Sequence, residues 1–345
     1  MKIPEPTLTI GKLIDDYHEK QSAQKPPRPH LGGSLLGHHC SRWMWLSFRW
    51  AITQKHPGRI VRLFRRGENE EMVIVNDMRA VGIDIRKTSE RTRIKVDLAP
   101  HVGGTLDGMI ESGVPAAPNK RHVAEFKTHN FDSFARLKKE GVEKSHFTHY
   151  IQMQVYMHGA KVDRALYFAV CKDNDETYEE RVRYDKDIAE KYIERGRQIA
   201  LADEMPAPIS NDPSWYQCKM CPAHSFCHET KLTKNVNCRT CAHSTAKEDG
   251  TWRCERYDSD GIPVEFQLNG CDSHVLHPNL VPWERKETGD RWNATYIIEG
   301  KEVVNGDPDA HIYGSKEIIA APKTCASNDE NLYNFRETFG ARIVG

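Results

Sequence analysis

The chain lacks a net charge: 49 Lys and Arg residues balance 49 Asp and Glu residues over 345 positions. Such a sum gives no bulk attraction to a polyanion, so any contact of that kind must come from local patches. Long apolar runs are also missing. The longest, Ala165 to Cys171, falls far short of the roughly 20 residues that a membrane helix requires, which excludes a helical span. The opening MKIPEPTLTI lacks the charged-then-apolar layout of a secretory signal. The expectation is a soluble, cytoplasmic protein. Gly-x-x-x-x-Gly-Lys-Ser/Thr is absent, so the chain carries no P-loop motor of its own.

Cysteine is plentiful, at ten residues. In an intracellular chain these are poor candidates for disulfides. Eight fall into spaced sets, which argues for metal binding. Basic residues are locally dense as well. Between Ser41 and Arg66 there are seven Lys or Arg and no acids, with Trp43, Trp45, Phe48, Trp50 and Phe64 interleaved. Basic groups among aromatics suit phosphate contact and base stacking. The competing reading is a helix with a Trp-rich core face and a solvated basic face. Arg42, Arg49, Arg62, Arg65 and Arg66 are the candidate DNA contacts.

Hydrophobic periodicity predicts helices over 41–56 and 59–80, the second ended by Gly82. Alternation predicts strands at Ile83–Ile85 and Ile94–Leu98 around a polar turn, then around Gly104–Glu111 and His122–Thr128. Helices over 132–140 and 146–158, strands at 165–171 and 178–184, and a helix over 187–204 follow. Residues 1–33 read as a polar lead-in, with Pro26, Pro27 and Pro29 breaking any helix. The order indicates an α/β fold with a mixed central sheet flanked by helices.

The central chemistry lies in GTLDGMIE and HVAEFKT. Asp107 is expected on one strand and Glu125-Phe126-Lys127 on the next. Side chains alternate along a strand, so Glu125 and Lys127 share a face and Phe126 takes the other. Two acids can hold a hard divalent cation, and a nearby ammonium can sit beside water or phosphate. That combination suits hydrolysis of a phosphodiester.

This pattern resembles the PD-(D/E)XK nuclease superfamily, whose members share a restriction-endonuclease-like core. The resemblance implies that Asp107 and Glu125 bind Mg²⁺ or Mn²⁺, that Phe126 offers its carbonyl, and that Lys127 is the catalytic lysine. Leu106 stands where the family usually has Pro. A Gly-x-x-x-Glu helix motif matches Gly67 and Glu71, with Glu68 and Glu70 as alternatives to Glu71. A Gln-x-x-x-Tyr motif of RecB-like members matches Gln152 and Tyr156, which share one helix face at i and i+4.

Cys218, Cys221 and Cys227 follow the last expected core helix, and Cys40 precedes the core. One distant Cys plus C-x₂-C-x₅-C resembles the iron–sulfur RecB-like nucleases, including the AddB nuclease domain and the CRISPR-adaptation exonuclease type. There a 4Fe–4S cluster staples the two ends of the domain. Zinc is the rival metal, and His38, His39, His224 and His228 are further possible ligands. Cys238, Cys241, Cys254 and Cys271 form a second set, whose thiolates suit a tetrahedral Zn²⁺ site; His243 and His274 are alternatives. Cys171 and Cys325 are left unassigned.

The expected organisation is a lead-in at 1–33, a nuclease domain with its cluster at 34–230, a zinc-binding module at 231–284 and a β-rich extension at 285–345. The resemblance implies a metal-dependent deoxyribonuclease. Its most fitting role is a phage-type or bacterial exonuclease that processes DNA ends in recombination or repair. The implied partners are double-stranded ends or single-stranded DNA, together with a helicase, a single-strand annealing protein or a single-strand binding protein. A non-catalytic DNA-binding scaffold of the same fold and an Fe–S redox sensor are the alternatives.

Overall fold

The computed structural model of the chain describes residues 8–87 and 93–344, with the backbone alone at Thr230. Most of the polar turn expected before Ile94, and the first seven residues of MKIPEPTLTI, lie outside the described residues. Two compact units emerge, residues 1–38 with 54–197 and residues 39–53 with 198–345. This division cuts across the body expected over 34–230. In chain order the elements through the first unit are α1 (Ile10–Ala23), β1 (Leu31–Gly32), α2 (Ser41–Phe48), α3 (Gly58–Ala80), β2 (Asp84–Lys87), β3 (Lys95–Ala99), β4 (Val102–Thr105), β5 (Gly108–Ser112), β6 (His122–His129), α4 (Phe131–Ser145), α5 (Phe147–Ala160), β7 (Arg164–Cys171), β8 (Thr177–Arg183) and α6 (Lys186–Leu201). Of these, α2 belongs to the second unit. Among the described residues no helix is long and apolar enough to cross a membrane.

The first unit is built on a five-stranded mixed sheet in the order β2-β5-β6-β7-β8. Only β6 and β7 run parallel, with Glu125 beside Tyr167 and Lys127 beside Ala169. A parallel pair needs a long crossover, and α4 and α5 supply it. One sheet face is apolar: Ile74, Val75 and Met78 of α3 pack on Ile85, Ile110, Ala124, Phe126, Leu166 and Val170. Phe126 therefore points into this core, and Glu125 and Lys127 project from the opposite face, as alternation requires. Tyr150 through Met157 are buried without a break along α5, the pattern of a helix enclosed on all sides.

Two differences from the sequence expectation bear on the site. The stretch expected as one strand over 104–111 is split. Val102–Thr105 pairs with β1 and β3 in a small sheet, Gly108–Ser112 joins the large one, and Asp107 stands at the bend between them. The lead-in also contains α1, which starts at a Thr9 cap. Ile10, Leu13, Ile14 and Tyr17 stand at helical spacing, yet all four are exposed and no residue is buried in α1. It is held by polar contacts: Asp15 pairs with Arg62 at 2.9 Å, and Glu19 accepts the Gly58 N–H at 2.7 Å at the N-terminus of α3, where a carboxylate is favoured.

The second unit gathers the Trp-rich segment around Arg239. The helix expected over 41–56 ends at Phe48, and Trp50 takes a left-handed φ of 52°. The Arg239 guanidinium lies 3.8 Å from the Trp50 ring centre and 4.9 Å from those of Phe48 and Trp252. It donates to the Phe48 carbonyl at 2.9 Å and to Gln267 Oε1 at 2.8 Å. The expected 231–284 module and 285–345 extension share one core, from Val275 and Leu276 through Tyr296 and Tyr313 to Cys325. That core lies beneath a four-stranded sheet formed by Glu284–Lys286, Ala294–Ile298, Lys301–Asn305 and Ile312–Tyr313. The extension is β-rich, but it also carries helices at Ser315–Ala320, Pro322–Cys325 and Glu330–Phe339.

Candidate active site

The bend at Asp107 breaks the β5–β6 ladder and leaves the Phe126 N–H without a strand partner on that side. Asp107 Oδ2 accepts it at 3.2 Å, which ties the carboxylate to the strand that carries Glu125. Lys127 Nζ donates to the Phe126 carbonyl at 3.0 Å, bonds Glu125 Oε1 and lies 3.7 Å from Asp107 Oδ2. One ammonium thus sits where two carboxylates and a main-chain carbonyl converge. Glu125 is fully buried, and its second oxygen accepts from Gln152 Nε2 at 2.8 Å. Burial pushes the Glu125 pKa up to about 8, with Asp107 and Glu71 adding and Lys127 opposing. Burial alone would lower the pKa of Lys127, but Glu125 and Asp107 outweigh it and hold that pKa above the ordinary value.

Of the three helix acids that the Gly-x-x-x-Glu spacing left open, Glu71 is the one that feels Asp107 and Lys127; burial and Asp107 raise its pKa while Lys87 and Lys127 lower it. Lys87 Nζ holds Glu71 Oε2 at 2.6 Å. The sequence gave no signal for Lys87, which closes β2 two residues beyond the Ile83–Ile85 alternation. Tyr156 is buried against two glycines. A Cβ at Gly33 would overlap its ring and a Cβ at Gly104 its hydroxyl, so glycine at both positions makes room for it. The structure therefore brings Glu71, Asp107, Glu125, Lys127, Gln152 and Tyr156 into one neighbourhood of the first unit.

The candidate DNA contacts do not gather there. Arg49 is 1% exposed, with its guanidinium 4.7 Å from Trp45 and 5.5 Å from Trp252. A contact from it to DNA is excluded, because a weakly hydrated guanidinium stacks among aromatics and forms part of the core here. Arg42 donates to the Pro206 carbonyl at 2.8 Å. Arg62 is engaged with Asp15 and Arg65 with His18 at 3.2 Å. Arg66 is exposed and donates to the Lys172 carbonyl at 3.3 Å. A cavity of about 690 Å³ lined by Lys120, Arg121, His158, Lys161, Asp163 and Tyr184 contains none of Glu71, Asp107 and Glu125.

The cysteine sets both lie in the second unit. Cys218, Cys221 and Cys227 each have a pKa raised by burial and further by the Cys40 thiol. Cys40 caps the α2 N-terminus, accepting the Trp43 N–H at 3.4 Å. In the other set Cys238 and Cys241 are pushed up to about 11 and about 12 by burial, with Cys254 and Cys271 adding to each. His243 N–H donates to Cys241 Sγ at 3.5 Å. Among the described residues, no group of three or more His, Cys, Asp or Glu side chains is close enough together to hold a metal ion. The thiols are thus grouped in two places without being drawn to ligand distance, and a zinc-binding module is not shown. The alternative ligand His274 is already committed, to Ser315 Oγ at 2.8 Å and to the Asn237 carbonyl at 3.1 Å.

No family model matches the chain, and no curated protein matches it. Solved structures give distant likenesses. A crystal structure of SSO0001 has a TM-score of 0.42 at 15% identity, over 64% of this chain and 96% of that one. A crystal structure of LHK-Exo in complex with dAMP gives 0.38 at 12%, over 50% and 86%. The alkaline exonuclease LHK-Exo from Laribacter hongkongensis gives 0.34 at 14%, over 53% and 90%.

Proposed function

We propose that the chain is a metal-dependent deoxyribonuclease, with its active site in the first unit. The observation that carries this reading is the convergence of Asp107 Oδ2, Glu125 Oε1 and the Phe126 carbonyl on the single Lys127 ammonium. Donors that share one cation through oxygen are the set that Mg²⁺ or Mn²⁺ takes, so the residues present fit such an ion. Asp107, Glu125 and the Phe126 carbonyl would hold it, with Glu71 beside them. Bound there, a divalent cation supplies charge neutralisation at a phosphate and a more acidic water.

The protein's own residues do the rest. Gln152 fixes one oxygen of Glu125 and so orients the other. Lys127 directs the attacking water and offers positive charge where the transition state gains negative charge. Lys87 opposes the burial and the Asp107 charge that raise the Glu71 pKa. Among nuclease activities we place this chain with exonucleases that process DNA ends.

In the same reading, Cys40, Cys218, Cys221 and Cys227 are the ligands of a 4Fe–4S cluster. The α2 N-terminus at Cys40 and the Arg42 guanidinium at Cys227 both favour the thiolate that such ligation needs. Cys238, Cys241, Cys254 and Cys271 are the ligands of a structural Zn²⁺, supported by the N–H···S bonds of His243 to Cys241 and of Ser273 to Cys271.

The test is incubation of end-labelled linear, circular and single-stranded DNA with the purified chain and Mg²⁺ or Mn²⁺. Loss of linear DNA that EDTA stops, with circles left intact, is the expected result. Intact DNA of all three kinds with either metal would overturn the reading.

A further inference from the structure

Where the parallel strands β6 and β7 begin, the first unit holds the cavity of about 690 Å³, which neither the sequence motifs nor the proposed mechanism uses. Lys120 and Arg121 enter it just before β6, Lys161 to Asp163 just before β7, and Tyr184 just after β8. Arg121 stands four residues before Glu125, about 13 Å along an extended strand. The cavity is therefore separate from the candidate active site. Its volume falls within the roughly 300–1,000 Å³ of small-ligand sites.

The lining has three chemically distinct parts. Met157, which is fully buried, and Val162 give it an apolar floor. His158 and Tyr184 supply two rings, joined by a 2.8 Å bond between His158 Nδ1 and the Tyr184 hydroxyl. Lys120, Arg121 and Lys161 are exposed cations, set against the single lining acid Asp163. Asp163 pairs with Arg164 at 3.1 Å, and Arg121 with Glu111 at 2.9 Å. Lys161 also caps the C-terminus of α5 in a left-handed conformation, at φ 54° and ψ 47°. Glycine takes that conformation without strain, and a side chain there costs free energy. A lysine held so, in the wall of a cavity, is backbone strain of the kind that gathers at binding sites.

We propose that this cavity binds a nucleoside monophosphate. The base rests on Met157 and Val162 beside the His158 and Tyr184 rings, and the phosphate lies against Lys120 and Arg121, with Lys161 reaching over it. Ammonium and guanidinium groups are the side-chain donors that phosphate takes. The partial negative charge at the α5 C-terminus holds the phosphate toward the β6 side. A bare phosphate would leave the apolar floor unused, and an uncharged nucleoside would leave the cations unused. Such binding is independent of the nuclease reading, because it needs neither a metal ion nor Glu71, Asp107 and Glu125.

Equilibrium dialysis of the full chain in EDTA, with adenosine 5′-monophosphate, adenosine and inorganic phosphate as probes, decides it. The monophosphate is expected to bind at one site, with adenosine and phosphate each weaker by about 10-fold or more. The double variant Lys120→Ala, Lys161→Ala is expected to weaken the monophosphate by about 10-fold or more. Lys161→Gly separates binding from folding: it relieves the left-handed cap, so the melting temperature should rise while the monophosphate binds more weakly. A wild-type chain that takes up no monophosphate, or a double variant that binds it as tightly as wild type, would overturn the site. Monophosphate binding that Asp107→Ala abolishes would place the ligand among the acids instead and overturn it too. A single-stranded oligonucleotide that binds through Lys120 and Lys161 when the monophosphate does not would give the cavity to a nucleic-acid strand and overturn the free nucleotide.

Discussion

Gln152 and Lys127 divide the two oxygens of Glu125 between them: the amide takes Oε2 at 2.8 Å and the ammonium takes Oε1. A fully buried carboxyl group is thereby fixed at both of its oxygens. Such an arrangement sacrifices stability for chemistry.

Glu125→Gln is expected to abolish metal-dependent cleavage and to destabilise the chain, because it takes from the Lys127 ammonium its buried partner. Asp107→Ala and Lys127→Ala are expected to lose about 100-fold or more in kcat while remaining folded. Thermal melting alongside a cleavage assay checks both halves. Full activity in either alanine variant would remove the assigned roles.

Gly104→Ala puts a methyl group against the Tyr156 hydroxyl. Overpacking of this kind costs about 1–3 kcal/mol. Urea denaturation is expected to show that loss, together with reduced cleavage as Tyr156 is displaced beside the acids.

Acid is expected to destabilise the chain. His129 and His149 are held at about 4 and about 2, chiefly by burial, with nearby cations adding. Both values lie below the unfolded value of about 6.5. In the window below about 6.5 the unfolded chain binds protons that the folded chain refuses, so stability rises with pH there and is lost on acidification. Melting temperatures measured from pH 6.5 down to 4 should fall, and His149→Gln should flatten the slope. An unchanged slope in that variant would remove His149 from the cause.

Anaerobic purification is expected to give a brown protein with iron and sulfide in similar amounts, and zinc besides. Cys221→Ser should lose the iron and Cys254→Ser the zinc. Elemental analysis of the three proteins separates the two sites. A colourless, active protein that holds only zinc would reassign the first set.

Arg239→Ala is expected to destabilise the second unit by about 3–5 kcal/mol, since it strips a buried hydrogen-bonded cation from its aromatic partners. Arg239→Lys should fail to rescue it, because a compact ammonium cannot both stack on Trp50 and reach Phe48 and Gln267. Denaturation of the two variants, followed by tryptophan fluorescence, is the check.

The acids and Lys127 were legible because their chemistry is local: a two-residue period puts Glu125 and Lys127 on one face, and a four-residue step puts Gln152 and Tyr156 on another. The helix acid was legible only to within three positions, since rotation about α3 decides which of Glu68, Glu70 and Glu71 turns inward, and packing of Ile74, Val75 and Met78 sets that rotation. Arg49 was misread because a charged residue among tryptophans looks like a nucleic-acid contact until its burial is known. The contacts of the Tyr167 hydroxyl with His129 and His149, at 2.8 and 3.0 Å, were invisible, as β6, α5 and β7 meet only once the crossover closes. The division of the chain was hidden for a similar reason: the aromatic partners of α2 lie far away in sequence.

That distance matters during synthesis. The Phe48 carbonyl is held by Arg239, 191 residues later. At roughly 5–20 residues per second, the ribosome leaves Trp45, Phe48 and Trp50 without their partners for on the order of 10–40 seconds. The nascent chain therefore carries a sticky, Trp-rich segment through most of its manufacture. A chaperone that shields such segments, rather than one that acts on the finished chain, should govern its yield.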